Sequence, residues 1–242
     1  MRSLGDADIL AVWETAQRYH PVDQAIALLM TAEPEHSRDE LASLPLGRRD
    51  ARLLSLRLST FGDALHSRAT CPQCNEAVEF EISCSALRTP DAEVHERTLD
   101  AEGYQLRMRP LTSFDLAAAA GAADVAEARR ILLQRCVVDA RRNDAFVNAD
   151  ELPGAVSAAA AQAALLADPQ AELLFELGCP ACAHRWQATL DIAHILWKEV
   201  DARAQRLLME VHQLARAYGW READILGMSP ARRNAYLQRV AA

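Results

Sequence analysis

Apolar residues at helical spacing dominate the first quarter of the chain. A first helix is predicted before the His20–Pro21 step, where proline disfavours continuation of a helix. A second helix is predicted over 22–31, a third after Ser37, and a longer leucine-rich helix after Gly47. We therefore expect an N-terminal helical region over residues 1–66. The arginines of its last helix are interpreted as a solvated face: Arg48, Arg49, Arg52 and Arg57.

Alternation of apolar and polar residues replaces the helical pattern from about residue 69. The strand candidates are 77–83, 102–109, 172–177 and 185–192. An alanine-rich stretch lies between the second and third of them and predicts three helices, the second of which continues through Val138. The pattern thus indicates about four short strands in a small antiparallel sheet, interrupted by a helical insertion.

The last fifth of the chain has the most regular apolar pattern. Its spacing predicts one amphipathic helix over 191–218, about 40 Å long at 1.5 Å per residue. Gly219 is suited to end it in a left-handed cap, and two shorter helices follow, the second opened by Ser229 and Pro230. The predicted fold class is α+β, mostly α-helical, with a small antiparallel sheet and a long C-terminal helix.

Two Cys-Pro-x-Cys motifs stand immediately before strand-like sequence. They are Cys71-Pro-Gln-Cys74 and Cys179-Pro-Ala-Cys182. Two thiolates separated by two residues can face one tetrahedral ion, so the two motifs supply the four sulfurs of a closed structural zinc site. More than a hundred residues separate them, instead of the roughly 15–20 of an ordinary zinc ribbon. We interpret this as a ribbon with a domain inserted between its halves.

This interpretation predicts five regions along the chain. They are an N-terminal helical region (1–66), the first half of the ribbon with its strands (67–110), a helical insertion (111–168), the second half of the ribbon (169–192) and a C-terminal helical region (193–242).

Other roles for the cysteines stay open at this point. A Cys-x-x-Cys pair can be a redox site, although such pairs usually open a helix rather than a strand. Iron also accepts four sulfurs in a tetrahedron, and His184 could replace one thiolate, but zinc and the four cysteines are the first choice. Cys84 and Cys136 are left over, and Cys136 lies in an apolar run typical of a core.

Composition narrows the classes of function. The chain has 242 residues, half of them apolar, with no apolar run near 18 residues and no charged-then-apolar leader. We therefore expect neither a membrane span nor a secretion signal, and six cysteines in this pattern suit metal binding in a reducing cytoplasm. The arginine and alanine bias is typical of a GC-rich bacterial genome. The net charge of −8 argues against general binding of nucleic acid.

The chain contains no recognisable catalytic motif. A glycine-rich phosphate loop, a G-x-S-x-G elbow and an H-E-x-x-H motif are all missing from the sequence. His194 and Glu199 follow the second cysteine pair, but we interpret them as neighbours on a helix surface. Because a four-sulfur zinc site has no open position for water, it braces a fold rather than catalyses a reaction. The expectation is a non-enzyme without a small-molecule substrate.

Several motifs near the C-terminus resemble one protein family. They are the block from Cys179 to Ala188, Leu196-Trp197-Lys-Glu-Val-Asp201, the stretch 210–226, and 228–237 with its Met228-Ser-Pro-Ala-Arg-Arg233. Together they resemble the T-even-phage-type baseplate hub assembly chaperones of contractile phage tails and of phage-derived contractile injection systems. The likeness extends more loosely to Leu46-Gly-Arg-Arg-Asp50 and to the first cysteine pair.

The resemblance implies a non-catalytic assembly factor or minor component of a baseplate or hub. Its partners would be baseplate, hub or spike proteins, and its location the bacterial cytoplasm or phage-tail-like particles. The metal ligands would be Cys71, Cys74, Cys179 and Cys182. The candidate partner-binding residues are Trp197, Tyr218, Trp220, Arg232, Arg233 and Tyr236, whose aromatic members could equally be ordinary core residues.

The alternative is a zinc-ribbon protein that binds nucleic acid or takes part in transcription. Residues 191–242 carry eight basic and six acidic side chains, a net charge of only +2. That is little for neutralising phosphates, so we prefer the assembly role.

Overall fold

The computed structural model describes residues 1–87 and 95–240. The helices are α1 (Asp6–Ala16), α2 (Pro21–Ala32), α3 (Arg38–Ala42), α4 (Leu46–Phe61), α5 (Ser113–Ala119), α6 (Val125–Cys136), α7 (Gly154–Ala167), α8 (Ile192–Tyr218), α9 (Glu222–Leu226) and α10 (Pro230–Val240). The strands are β1 (Ala64–Thr70), β2 (Ala77–Ser83), β3 (Arg97–Ala101), β4 (Tyr104–Met108), β5 (Val137–Arg142), β6 (Ala145–Phe146), β7 (Leu173–Gly178) and β8 (Arg185–Leu190). The predicted α+β class is confirmed. None of the helices in these ranges is long and apolar enough to cross a membrane.

The largest core forms where α1, α2 and α4 pack against the N-terminal half of α8. The inward residues of α8 recur every three or four positions: Ile192, Leu196, Val200, Ala204 and Leu207. Asp191 caps this helix by accepting a hydrogen bond from the His194 N–H at 3.0 Å, and Gly219 ends it with a left-handed φ of 69°. The predicted long amphipathic helix is therefore confirmed, and so is its predicted end at Gly219.

Two of the four arginines of α4 are buried, and do not belong to the solvated face that the sequence suggested; Arg48 is exposed, and the half-buried Arg52 pairs with Glu33. Arg57 is 2% exposed, and its guanidinium donates to the carbonyls of Gly62 and Ala64 at 2.7 and 2.8 Å. It also binds the Glu199 carboxylate of α8 at 2.7 and 3.0 Å. Arg49 is likewise buried. The sequence pattern did not predict this burial, because the carbonyls and the carboxylate that accept hydrogen bonds from Arg57 lie outside α4.

A second core lies under a four-stranded antiparallel sheet with the order β3-β4-β5-β6. Alternate residues of β4 are buried, namely Tyr104, Leu106 and Met108, and α7 covers them with Val156 and Ala160. The predicted strand over 102–109 therefore belongs to this sheet, and not to a sheet around the metal site. The helix predicted through Val138 ends at Cys136. Beyond it, Val137 and Val138 are β-branched and join a strand paired with β4, so strand pairing overrides the helical spacing.

The other four strands form two separate antiparallel pairs, β1 with β2 and β7 with β8. Their inner faces meet through Phe80 and Phe175, whose ring centroids are 5.1 Å apart. The sequence analysis missed β1, because His66, Ser67 and Arg68 obscure its alternation.

The return of the chain from the insertion is tied to the start of α4. This helix follows Pro45 and has no side-chain cap of its own. The cap comes from Asp168, which accepts a hydrogen bond from the Gly47 N–H at 2.8 Å. A Cβ added to Gly47 would lie 1.9 Å from Asp168 Oδ1 and 2.9 Å from the Ala171 nitrogen. Glycine is therefore required at this position for close approach. The division into five regions stays a prediction.

The start of α5 is held by a buried carboxylate. Asp115 has a side chain with 0% exposure and accepts from Arg109 at 2.7 and 2.8 Å, from Arg135 at 2.6 Å, and from the Thr112 N–H at 2.8 Å. Burial raises the pKa of this carboxyl, but the hydrogen bonds from Arg109, Thr112 and Arg135 outweigh burial and hold the pKa well below its usual range.

We expect Gly47→Ala to lower the free energy of unfolding by roughly 1–3 kcal/mol, because the new methyl group overlaps Asp168. Equilibrium unfolding in urea measures the change. Gly154→Ala is the control, since a Cβ at Gly154 meets nothing within 4 Å. Equal stability of Gly47→Ala and the wild type would contradict the close approach.

We also expect Asp115→Asn to lower the free energy of unfolding by about 3 kcal/mol at pH 7, because it removes the charge between two arginines. The depressed pKa means that the stabilisation is complete above about pH 4, the unfolded-state value, and is lost as pH falls further. Urea unfolding at pH 7 and pH 3 should therefore show a smaller difference at pH 3. The exposed Asp100→Asn serves as control, and a pH-independent difference would argue against the assigned ion pairs.

Candidate metal centre

The four cysteines predicted as metal ligands lie together where the two strand pairs meet. The sulfurs of Cys71 and Cys182 are 3.7 Å apart, and those of Cys74 and Cys179 are 3.5 Å apart. All four sulfurs lie within 4.8 Å of one another. Tetrahedral zinc with bonds of about 2.3 Å places its sulfurs about 3.8 Å apart, whereas a disulfide requires about 2.05 Å. The geometry therefore fits one four-sulfur ion and not disulfide bonds.

The first cysteine pair sits on a tight turn between β1 and β2. The Cys71 N–H donates to the Glu76 carbonyl at 2.8 Å, and the Asn75 N–H donates to the Cys71 carbonyl at 2.9 Å. Asn75 adopts a left-handed φ of 61°, which asparagine tolerates better than most residues. The turn folds the chain back at once, so both sulfurs face the same side.

The second pair repeats this turn between β7 and β8. The Cys179 N–H donates to the His184 carbonyl at 2.8 Å, and the Ala183 N–H donates to the Cys179 carbonyl at 2.9 Å. Ala183, the equivalent of Asn75, has a φ of 58°, although alanine gains nothing from a left-handed conformation. Two turns of the same geometry, 108 positions apart in sequence, thus present two sulfurs each to one point.

The protein environment shifts the pKa values of Cys71 and Cys74 in opposite directions. Burial raises the pKa of Cys71, but hydrogen bonds from the backbone N–H groups of Cys74 and Gln73 lower it to about 7. At Cys74 the Glu76 N–H lowers the pKa, but burial and the neighbouring thiols Cys182, Cys179 and Cys71 raise it to about 12. A bound metal ion would displace these protons, because it binds thiolates.

The ligand set excludes the nearby histidine. Among the described residues, the group of potential ligand atoms contains the four cysteines alone. The ring of His184 instead stacks on Trp186, at 6.1 Å between centroids and 7° between planes. Cys71 and Cys179 are buried, Cys182 is half-buried and Cys74 is exposed. Such a cluster could hold a zinc ion without a position for water.

The other two cysteines lie away from the cluster in the packed interior. Cys84 is buried beside the Arg57 guanidinium, 3.4 Å from it, and the Cys136 thiol donates to the Arg109 carbonyl at 3.2 Å. The core position predicted for Cys136 is thus observed. Sequence reasoning did not find Phe80 and Phe175, which join the two halves of the ribbon. Alternation places each on an inner face, but it does not show that they meet.

Three of the candidate partner-binding residues form an aromatic cluster at the end of α8. The rings of Tyr218 and Trp220 stack with centroids 4.5 Å apart, and Tyr236 meets them edge-on at 5.7 and 4.8 Å. The Arg232 guanidinium lies over the Tyr236 ring, 5.9 Å from its centroid. Trp197 is elsewhere, packed partly buried against the largest core.

Arg233, which the sequence analysis placed among the candidate partner-binding residues, is buried rather than on the surface. Its side chain is 1% exposed and is bound by the carboxylates of Asp6 and Glu210, the latter at 2.7 Å. Arg203 binds the same two residues, at 2.9 and 3.4 Å. Arg233 therefore ties α10 to α1 and α8.

Comparison with known proteins identifies a family for this chain. No curated protein and no solved structure matches the chain. The model of the family described as T4 bacteriophage base plate protein matches residues 14–197, which is more than half of the chain. The matched range contains both cysteine pairs, the segment between them and the first turns of α8. The chain therefore belongs to the T4 bacteriophage base plate protein family.

Proposed function

We propose that the protein is a non-catalytic assembly factor or minor structural component of the baseplate or hub of a contractile phage tail or phage-derived injection system. The observation that carries this proposal is the family match over residues 14–197. The finer role as a hub assembly chaperone rests on the resemblance of the stretch 210–237, which lies beyond the matched range.

The four-cysteine cluster supports a bracing role within this function. A tetrahedral site that is filled by four protein sulfurs leaves no position at which a metal could activate water or bind a substrate. Zinc is the proposed ion, since it prefers this geometry and ligand set. Bound there, it would join the two ends of the segment between Cys74 and Cys179, so that the insertion and the helical core keep a fixed relation.

The partners in this proposal are other proteins of the baseplate. The aromatic cluster of Tyr218, Trp220 and Tyr236 supports a docking role, because it lies at the end of α8, away from the core that α8 builds with α1, α2 and α4. Aromatic residues that are partly exposed and mutually packed are typical of protein interfaces.

The first prediction from this proposal concerns the metal. We expect the purified protein to contain one equivalent of zinc and to be colourless, and Cys179→Ser to lose the metal and lower the Tm by roughly 10 °C. Elemental analysis and thermal unfolding measure the two effects.

The matched control for this experiment is Cys136→Ser, which changes a buried cysteine outside the cluster and should retain the metal. A red colour of the purified protein would show that the bound ion is iron and not zinc. A full equivalent of metal in Cys179→Ser would exclude Cys179 as a ligand.

The second prediction concerns assembly. Deleting the gene from the phage or injection-system locus should reduce the yield of intact contractile particles at least tenfold, and the wild-type gene should restore it. The particles are counted by electron microscopy. In addition, mass spectrometry should identify baseplate, hub or spike proteins that co-purify with the protein from its host. Normal particles in the deletion strain would refute the proposed function.

A further inference from the structure

The end of α8 and the last helix carry a surface that we call the arginine–aromatic patch, defined by Tyr218, Trp220, Arg232, Tyr236 and Arg239. Its aromatic members pack on one another, and Arg232 lies over the Tyr236 ring. Tyr218 remains 39% exposed, and both arginines are exposed. The patch lies outside the range of the family match, so membership of the family does not account for it.

The patch has a regular arrangement along α10. Arg232, Tyr236 and Arg239 are spaced by four and three residues, which places all three on one face of the helix. The next face holds Arg233, the only buried residue of α10. Because Arg233 is clamped by Asp6 and Glu210, the helix is fixed in rotation and the patch faces solvent.

The two patch arginines have no acidic partner among the described residues. The Arg232 guanidinium lies over the Tyr236 ring, and its backbone N–H donates to the Ser229 hydroxyl. Arg239 donates to the Ala235 carbonyl of its own helix. Most arginines in the cores, such as Arg57, Arg109 and Arg203, are by contrast paired with carboxylates. The patch thus offers two guanidinium groups whose charge is not neutralised within the protein.

The local charge differs in sign from that of the whole chain. The span 216–239 contains five arginines and only two acidic residues, Glu222 and Asp224, whereas the whole chain has a net charge of −8. An acidic partner is repelled by most of the molecule and attracted at this end. Complementarity of charge of this kind selects where and how a partner docks.

We propose that the arginine–aromatic patch binds an acidic, aspartate- or glutamate-rich segment of a baseplate protein. The guanidinium groups of Arg232 and Arg239 would each donate two hydrogen bonds to one carboxylate of the segment. The packed rings of Tyr218, Trp220 and Tyr236 would contact apolar side chains that lie between these carboxylates. Arginine and aromatic residues are the groups most enriched among the residues that dominate binding energy in interfaces.

A nucleic acid strand is the competing anionic partner, and the observations favour a protein. The patch presents two free guanidinium groups and lies in a chain of negative net charge, whereas binding to a phosphate backbone depends on neutralising several phosphates at once. The three rings also pack against one another, so most of their faces are not available to stack on bases.

The proposal rests on the proposed function, and the test uses the full-length, metal-loaded protein. Fluorescent 15-residue peptides that tile the baseplate proteins of the parent particle are titrated with the wild type at 50 mM and 300 mM NaCl. The expected result is that the tightest-binding peptides are acidic, and that they bind at least tenfold more weakly at 300 mM NaCl.

The decisive variant is Arg232→Glu with Arg239→Glu, which should weaken binding of these peptides at least tenfold. The matched control reverses two exposed arginines outside the patch, Arg18→Glu with Arg129→Glu, and should leave binding unchanged. Within the described part of the chain, neither of them pairs with a carboxylate. Circular dichroism and metal content verify that both variants are folded. Neutral or basic peptides as the tightest binders, no binding peptide, or equal effects of both double variants would overturn the proposal. So would preferential, salt-sensitive binding of a single-stranded DNA oligonucleotide.

The same variants separate this inference from the proposed function. In the deletion strain, the control variant should restore particle formation and Arg232→Glu with Arg239→Glu should not. If the wild type restores particles and the patch variant does so equally well, the patch proposal fails alone. If deletion has no effect on particles, the proposed function fails, and the peptide titrations still decide what the patch binds.

Discussion

The structure depends on bringing together two turns that are separated by more than a hundred residues. Closing a loop of the length between Cys74 and Cys179 costs about 4 kcal/mol in chain entropy, before any contact is gained. Contacts made by residues near the two ends of this loop offset the entropy cost. Phe80 packs on Phe175, and the Asp168 carboxylate caps α4 where the insertion ends. A metal ion bound by the four clustered sulfurs would add a cross-link, and it would stabilise the folded chain because the four sulfurs come together only there.

Local signals were enough to predict the features that depend on few residues close in sequence. The apolar spacing of α8 and its end at Gly219 are both readable within one segment. The cysteine cluster could also be predicted, because two pairs of the same type each require a partner pair to complete four-sulfur coordination. By contrast, the sequence did not reveal that the strands within residues 1–87 and 95–240 form three separate sheets, since strand pairing is set by residues far apart in the chain.

Buried arginines were the main source of error, for a physical reason. Along a helix, Arg57 and Arg233 look like ordinary surface residues, and only their distant acidic partners make burial affordable. Glu199 lies 142 positions from Arg57, and Asp6 lies 227 positions from Arg233. Each pair joins helices that local reasoning treats separately. The arginine that was expected to meet a partner, Arg233, instead holds α10 in place, and its neighbour Arg232 is left exposed.

The long helix α8 connects the bracing site with the proposed docking surface. Strand β8 leads from the second cysteine pair into α8 with only Asp191 between them, so the orientation of the helix is coupled to that of the ribbon. The first part of α8, from Ile192 to Leu207, is fixed in the main core. Its last turn carries Tyr218, about 40 Å from Ile192 along the helix axis. Loss of the metal would disturb the start of α8, which adjoins the ribbon. The patch at the other end of the helix would keep its local structure, because a packed helix of this length is stiff and the patch residues contact one another. The metal centre and the patch are therefore separable by mutation, although one element positions both.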